Sequence, residues 1–116
     1  MRTPPMKHRP QDIAERDAEA DLDALARVLA GLSKPEDVRA FLEDLCTPAE
    51  LEAMADRWKV VPLLDEGVPY REIHDRTLVS VTTIGRVART LERGAGGYAL
   101  ALQRQQRAKR RADGAH

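Results

Sequence analysis

Apolar residues return every third or fourth position from Leu22 to Leu91, and nowhere do they alternate over a useful length. That spacing places side chains on one stripe of an α-helix, whereas a half-buried strand needs a period of two. Leu22, Leu25, Val28, Leu29 and Leu32 make one stripe, Val38, Phe41, Leu42 and Leu45 a second, and Leu51, Met54, Trp58 and Val61 a third. Phe41, Trp58, Tyr70 and Tyr98 are the only aromatic residues, so Leu, Val and Ala must fill the core, as helix-on-helix packing allows. The expected fold class is all-α, with five to six helices in a chain of single-domain length. A core this small is marginal alone, and apolar surface left over is well placed to meet a second copy.

Local start and stop signals divide these helices. Thr47-Pro48-Ala49-Glu50 opens one: Thr47 can cap it, Pro48 suits the first helical position, and Glu50 completes a capping box. Ser33 is the expected cap of the preceding helix, with Pro35 and Glu36 in its first turn. Pro62 lies inside the third stripe, where it lacks a donor and crowds the Trp58 carbonyl, so a kink or break is expected there. Gly67 closes that element. Pro69 begins a short helix to about Arg76, and Ser80 caps another to about Arg93. Gly94-Ala95-Gly96-Gly97 reads as a flexible joint before a basic helix from Tyr98 to Arg111 that frays. The domain reading is a disordered, basic, proline-rich arm over 1–11, a helical domain over 12–93, and a hinge with a basic tail over 94–116.

The formal net charge is zero, but its distribution is uneven. Residues 12–56 hold 13 acidic and 4 basic side chains, while residues 57–116 hold 12 basic and 6 acidic. A basic working face on an acidic body fits this pattern, as do ordinary solvated helix faces. Cys46 is the only cysteine, which excludes an intrachain disulfide and suits a reducing compartment. No run approaches the ~18 apolar residues of a membrane span, and Met1 to Pro10 lacks the apolar segment of a secretory signal. A cytoplasmic protein without membrane contact is expected. His8, His74 and His116 are too scattered for a metal site, and His74 reads as an interhelical packing residue. Cys46 reads as a small apolar group, and Glu50 and Glu52, two apart, point to different helix faces. The GAGG segment lacks the lysine and strand of a phosphate loop. No catalytic constellation remains, and no enzyme activity is expected.

The segment from Pro69 to Ala88 has helix-turn-helix form. Two short helices joined by a turn of three or four residues must cross steeply, and a small core has to fix that angle. Ile73, Val79, Ile84 and Val87 can supply it. With Ser80 as cap and itself a candidate DNA contact, the exposed residues of the second helix are Val81, Thr82, Gly85, Arg86 and Arg89. In a major groove such N-terminal residues face base edges while the flanks meet phosphates. Three positions depart from type. Leu78 stands where a glycine is usual, His74 where a small alanine is usual, and Gly85 costs ~1 kcal/mol of helix stability.

The segment Leu-Cys-Thr47-Pro48-Ala-Glu50-Leu-Glu-Ala-Met-Ala-Asp-Arg57-Trp-Lys-Val-Val, followed by Leu63-Leu64, Arg71-Glu72-Ile73 and Thr83-Ile84-Gly-Arg86, resembles the Trp repressor superfamily. Val-Ala-Arg-Thr-Leu91 and Gly-Gly-Tyr98-Ala-Leu bring it closest to the YerC/YecD-type branch, over about residues 35–102. The resemblance implies an intertwined all-helical homodimer whose two heads meet successive major grooves of double-stranded DNA, on palindromic half-sites about one turn apart. Matched by position, Arg71 takes the place of a guanine contact, and Val81, Thr82 and Gly85 the places of base contacts, although Gly85 has no side chain to offer. Arg89 and the basic tail can add phosphate affinity without sequence information.

The resemblance also implies a small-molecule effector, an amino-acid-like corepressor such as tryptophan. Its indole would lie between Arg57 and Arg86, with Thr47 helping to hold it. Arginine planes stack on aromatic rings and pair with carboxylates, so such a pocket is chemically reasonable. Each residue has a second explanation: Thr47 as a cap, Arg86 as a phosphate contact, Arg57 as a surface or interhelical ion pair. The functional alternative is a helical dimeric protein–protein adaptor without specific DNA binding.

Overall fold

A computed structural model describes the backbone of residues 10–114 and the side chains of residues 13–114. Among the described residues there are six helices and no strand: α1 (Pro10–Ala30), α2 (Pro35–Leu45), α3 (Pro48–Asp65), α4 (Tyr70–Thr77), α5 (Val81–Arg93) and α6 (Gly97–Gly114). The chain divides after Leu45 into a unit of α1 and α2 and a unit of α3 to α6. α1 starts two residues ahead of the expected Asp12, and the first nine residues of the expected arm lie outside the described residues.

The first unit is helical without a core. No residue between Ile13 and Leu45 is buried. Leu25, Leu29, Leu32, Val38, Phe41 and Leu42 are half-buried, while Leu22 and Val28 stand 65% and 49% exposed. With Leu45, 50% exposed, these are the residues of the first two apolar stripes. The cap of α2 is Lys34, whose carbonyl accepts from Asp37 and Val38, and the expected Ser33 stands one residue too early. Proline fixes φ for the first helical position, so Pro35 makes residue 34 the cap whatever its side chain.

The second unit closes a core of its own. Val60 and Val61 of α3, Ile73 of α4, Val79 of the turn, Ile84 and Val87 of α5 and Leu102 of α6 are buried together. Trp58, Leu63, Leu64, Val68, Leu91 and Tyr98 pack around them. α3 packs on α4, α5 and α6. Trp58 and Tyr98 meet as a tilted pair, ring centroids 6.4 Å apart and planes at 41°, a favourable geometry for aromatic quadrupoles.

α3 begins as its sequence requires. The Thr47 N–H donates to Glu50 Oε1 at 2.8 Å, and the Glu50 N–H donates to Thr47 Oγ1 at 3.2 Å. The Thr47 bonds hold the Glu50 carboxyl below its ordinary pKa, the backbone bond contributing most. The expected break at Pro62 does not occur, and α3 runs on to Asp65. Pro62 sits in the last turn, so the ladder loses one donor there while the Pro62 carbonyl still accepts from Glu66. Val60 and Val61, immediately before it, are fully buried and hold the helix in place. The end is a Schellman closure around Gly67 at φ +81°: Gly67 donates to Leu64 and Val68 to Leu63, both at 3.0 Å.

Candidate nucleic-acid interface

α4 and α5 are joined by three residues, Leu78, Val79 and Ser80. Ile73, Val79, Ile84 and Val87 are all buried, so the four residues expected to set the interhelical angle come together beneath the turn. Leu78 carries φ +65°, the only positive φ of a non-glycine among the described residues. A leucine there costs ~1–2 kcal/mol against glycine's free access to that conformation. Its side chain is 81% exposed, so no burial offsets the strain.

Hydrogen bonds compensate instead. The Leu78 N–H donates to the His74 carbonyl at 2.7 Å, and the Val79 N–H donates to Thr77 Oγ1 at 3.1 Å. Thr77 Oγ1 in turn donates to the Ile73 carbonyl at 2.7 Å. His74 Nδ1 lies 2.8 Å from the Val79 carbonyl, and since a carbonyl only accepts, that bond places the ring proton on Nδ1. His74 is therefore more than a packing residue: it ties α4 to the far side of the turn. An alanine could not make this bond. Sequence reasoning missed Thr77, whose only signal is a hydroxyl at the last helical position, two residues before a buried valine.

Ser80 then caps α5, accepting from the Thr83 N–H at 3.1 Å and donating its own hydroxyl to Thr83 Oγ1 at 3.0 Å. Both bonds lie at the exposed start of α5 and fix the Ser80 hydroxyl there. From this cap the helical period sorts α5 into two faces. Ile84, Val87 and Leu91 face the core. Thr82, Arg86 and Arg89 lie opposite and are exposed, with Arg93 extending the same line. Val81 is exposed beside them and Gly85 is half-buried. A Cβ on Gly85 would meet nothing within 4 Å, so packing within the chain does not require glycine there. Gly94, just past α5, is the opposite case: a Cβ would stand 2.5 Å from the Thr90 carbonyl oxygen.

Arg71 is the second residue of α4 and is exposed. Among the described residues Arg71, Arg86 and Arg89 have no carboxylate partner, whereas Arg76 is held by Glu72 at 2.6 Å. The unit thus presents three uncommitted guanidinium groups on the helix-turn-helix. Thr47, Arg57 and Arg86 are all exposed. Thr47 is engaged in its capping box. Arg57 has no ion pair among the described residues, so the salt-bridge explanation for it is not met. A cleft of about 420 Å³ opens between α3 and α6, and its lining contains none of these three residues.

Residues 20–106 match the Trp repressor protein family. The uncharacterised YerC protein of Bacillus subtilis (strain 168) is 38% identical over 84 residues, covering 72% of this chain and 81% of that one. A crystal structure of a candidate Trp repressor from Staphylococcus aureus superposes with a TM-score of 0.70 at 32% identity, covering 75% of this chain and 87% of that one.

Proposed function

The chain belongs to the Trp repressor family, and on that premise we propose that it is a sequence-specific DNA-binding transcriptional regulator, a repressor acting as a homodimer on a palindromic operator. The observation that carries this reading is the head formed by α4 and α5. A buried four-residue core and a hydrogen-bonded turn hold the two helices, while Thr82, Arg86 and Arg89 project from the opposite face of α5. Arg71 on α4 supplies a planar fork suited to a guanine edge, Val81 and Thr82 meet bases at the start of α5, and Gly85 lets a base or sugar come close to the backbone. Arg86 and Arg89 fall along the flank, where phosphates lie.

The homodimer is supported by the first unit. The nine residues of the first two apolar stripes, on α1, α2 and the link between them, have no buried member in a single chain, and a second copy offers the matching surface. An amino-acid-like corepressor is the proposed effector, with Arg57 and Arg86 as its stacking and carboxylate-binding groups and Thr47 at the edge. This part of the reading rests on the family.

The deciding experiment is to capture fragmented genomic DNA with the purified protein at moderate salt, with and without tryptophan, and to sequence what is retained. Enrichment of a palindromic motif is the expected result, and tryptophan dependence would identify the ligand. No enrichment in either condition would move the helical adaptor to first place.

A further inference from the structure

The most strongly basic surface outside the helix-turn-helix is α6. From Gly97 to Gly114 it carries Arg104, Arg107, Lys109, Arg110 and Arg111 against one acid, Asp113. The helix has two faces. Leu102 is buried, Gln106 Nε2 donates to Asp65 Oδ2 at 3.4 Å, and Lys109 lines the cleft beside Asp65 and Glu66. Opposite that face, Arg104, Arg107 and Arg111 follow at intervals of three and four, all exposed.

Such a row does not help the helix that carries it. Like charges three and four apart destabilise a helix by a few tenths of a kcal/mol per pair, and a solvated helix face ordinarily interleaves glutamates. Among the described residues none of the α6 cations has a carboxylate within ion-pair distance. The placement is also specific. α6 lies beside α3 in the same direction, Tyr98 against Trp58 and Gln106 against Asp65, the last residue of α3. The eight residues beyond Gln106 therefore overrun α3 by ~12 Å at 1.5 Å per residue. The Schellman turn folds the chain back at that same end, and α4 starts there with Tyr70 and Arg71.

We propose that Arg104, Arg107 and Arg111 form a second nucleic-acid contact, which grips phosphates of duplex DNA flanking the bases read by α4 and α5. This rests on the DNA-binding reading and extends it. The occupant is a polyanion by charge, and duplex DNA by continuity with the end of the unit that carries Arg71. The family match covers residues 20–106, so the row straddles its end.

The test uses the full chain with Arg104→Gln, Arg107→Gln and Arg111→Gln combined, on the captured operator and on a scrambled duplex of equal length. The plot of log K against log salt is expected to flatten by about 0.9 for each phosphate no longer neutralised, so by up to about 2.7 per subunit. Affinity for operator and scrambled duplex should fall by the same factor, whereas Arg71→Ala should reduce the preference for the operator. An unchanged slope, in a variant of unchanged helicity, would overturn the proposal while leaving the regulator reading intact. A variant that falls to monomer in sedimentation with its slope unchanged would also overturn it, and would assign the row to the acidic helices of a second copy. A wild-type protein that binds neither duplex at any salt would sink the DNA-binding reading itself, and this proposal with it.

Discussion

The two units of this chain use the same helical code and reach different ends. α3 to α6 bring seven buried apolar residues into one cluster and surround it with half-buried neighbours. α1 and α2 carry equally regular apolar stripes, yet none of their described side chains is buried. Period and propensity therefore do not distinguish a helix that completes a core from one whose apolar stripe stays uncovered in the single chain. What distinguishes them is topology. Three short connections fold α3 to α6 back on one another, while two helices alone leave one flank of each stripe uncovered. The second unit holds the helix-turn-helix in fixed geometry, and under the homodimer proposed above the first would join two of them.

Truncations should separate the units most strongly. Ile84→Ala removes a fully buried side chain beneath the turn and should cost ~2–5 kcal/mol, seen as a lower thermal midpoint at every protein concentration. Leu29→Ala in α1 should instead raise the dimer dissociation constant and make the midpoint more concentration-dependent. Sedimentation with thermal melts over a hundredfold dilution reads both. A stable monomer at micromolar concentration, with Leu29→Ala harmless, would break the comparison.

A second pair of measurements sharpens the functional side. Arg71→Ala is expected to lose ~1–3 kcal/mol on the selected operator and less on unrelated DNA. It should leave the folding midpoint unchanged, since Arg71 is exposed and unpaired among the described residues. Equal losses on both duplexes would move Arg71 from base reading to phosphate binding.

Smaller effects belong to the caps and the turn. Thr47→Ala removes the Oγ1 acceptor of the Glu50 N–H at the start of α3, while the backbone N–H of residue 47 can still donate to Glu50, at a cost of ~1 kcal/mol, measurable by urea denaturation. Leu78→Gly should stabilise by ~0.5–1 kcal/mol, the relief of positive-φ strain being partly offset by a more flexible unfolded chain. A destabilised Leu78→Gly would mean that the exposed leucine has a neighbour in the dimer.

The smallest effect is in pH. The Glu50 carboxyl is depressed in the folded state, so its contribution is complete above the ordinary glutamate value and is lost as pH falls through the lowered one. Glu50→Gln should flatten that acid limb by losing the carboxylate's contribution at neutral pH, and should match the wild type once the pH is below the lowered value.

The motifs legible in the sequence are those whose physics is local. A capping box spans four residues, a Schellman glycine acts on its own turn, and a proline fixes its own φ. Thr47, Glu50, Gly67 and Ser80 therefore do in the structure what their positions imply. The four-residue core of the head is legible because two helical stripes and a short turn leave few ways to meet. Ser33 misleads because the proline at 35, not the better capping side chain, sets where α2 starts.

Everything that depends on what lies across from a residue was decided by tertiary structure. Pro62 stays helical because the full burial of Val60 and Val61 just before it outweighs the loss of one donor. His74 and Thr77 acquire their roles only once the turn brings the Val79 backbone to them. Gly85 and Gly94 read alike as glycines near a helix, yet one faces open space and the other a carbonyl oxygen at a distance no Cβ could occupy. The sequence alone determined where helices start, stop and turn apolar, because those choices are made within four residues. Which cations remain uncommitted, and which apolar stripe stays uncovered, depends on packing between distant segments, and only the folded chain decides them.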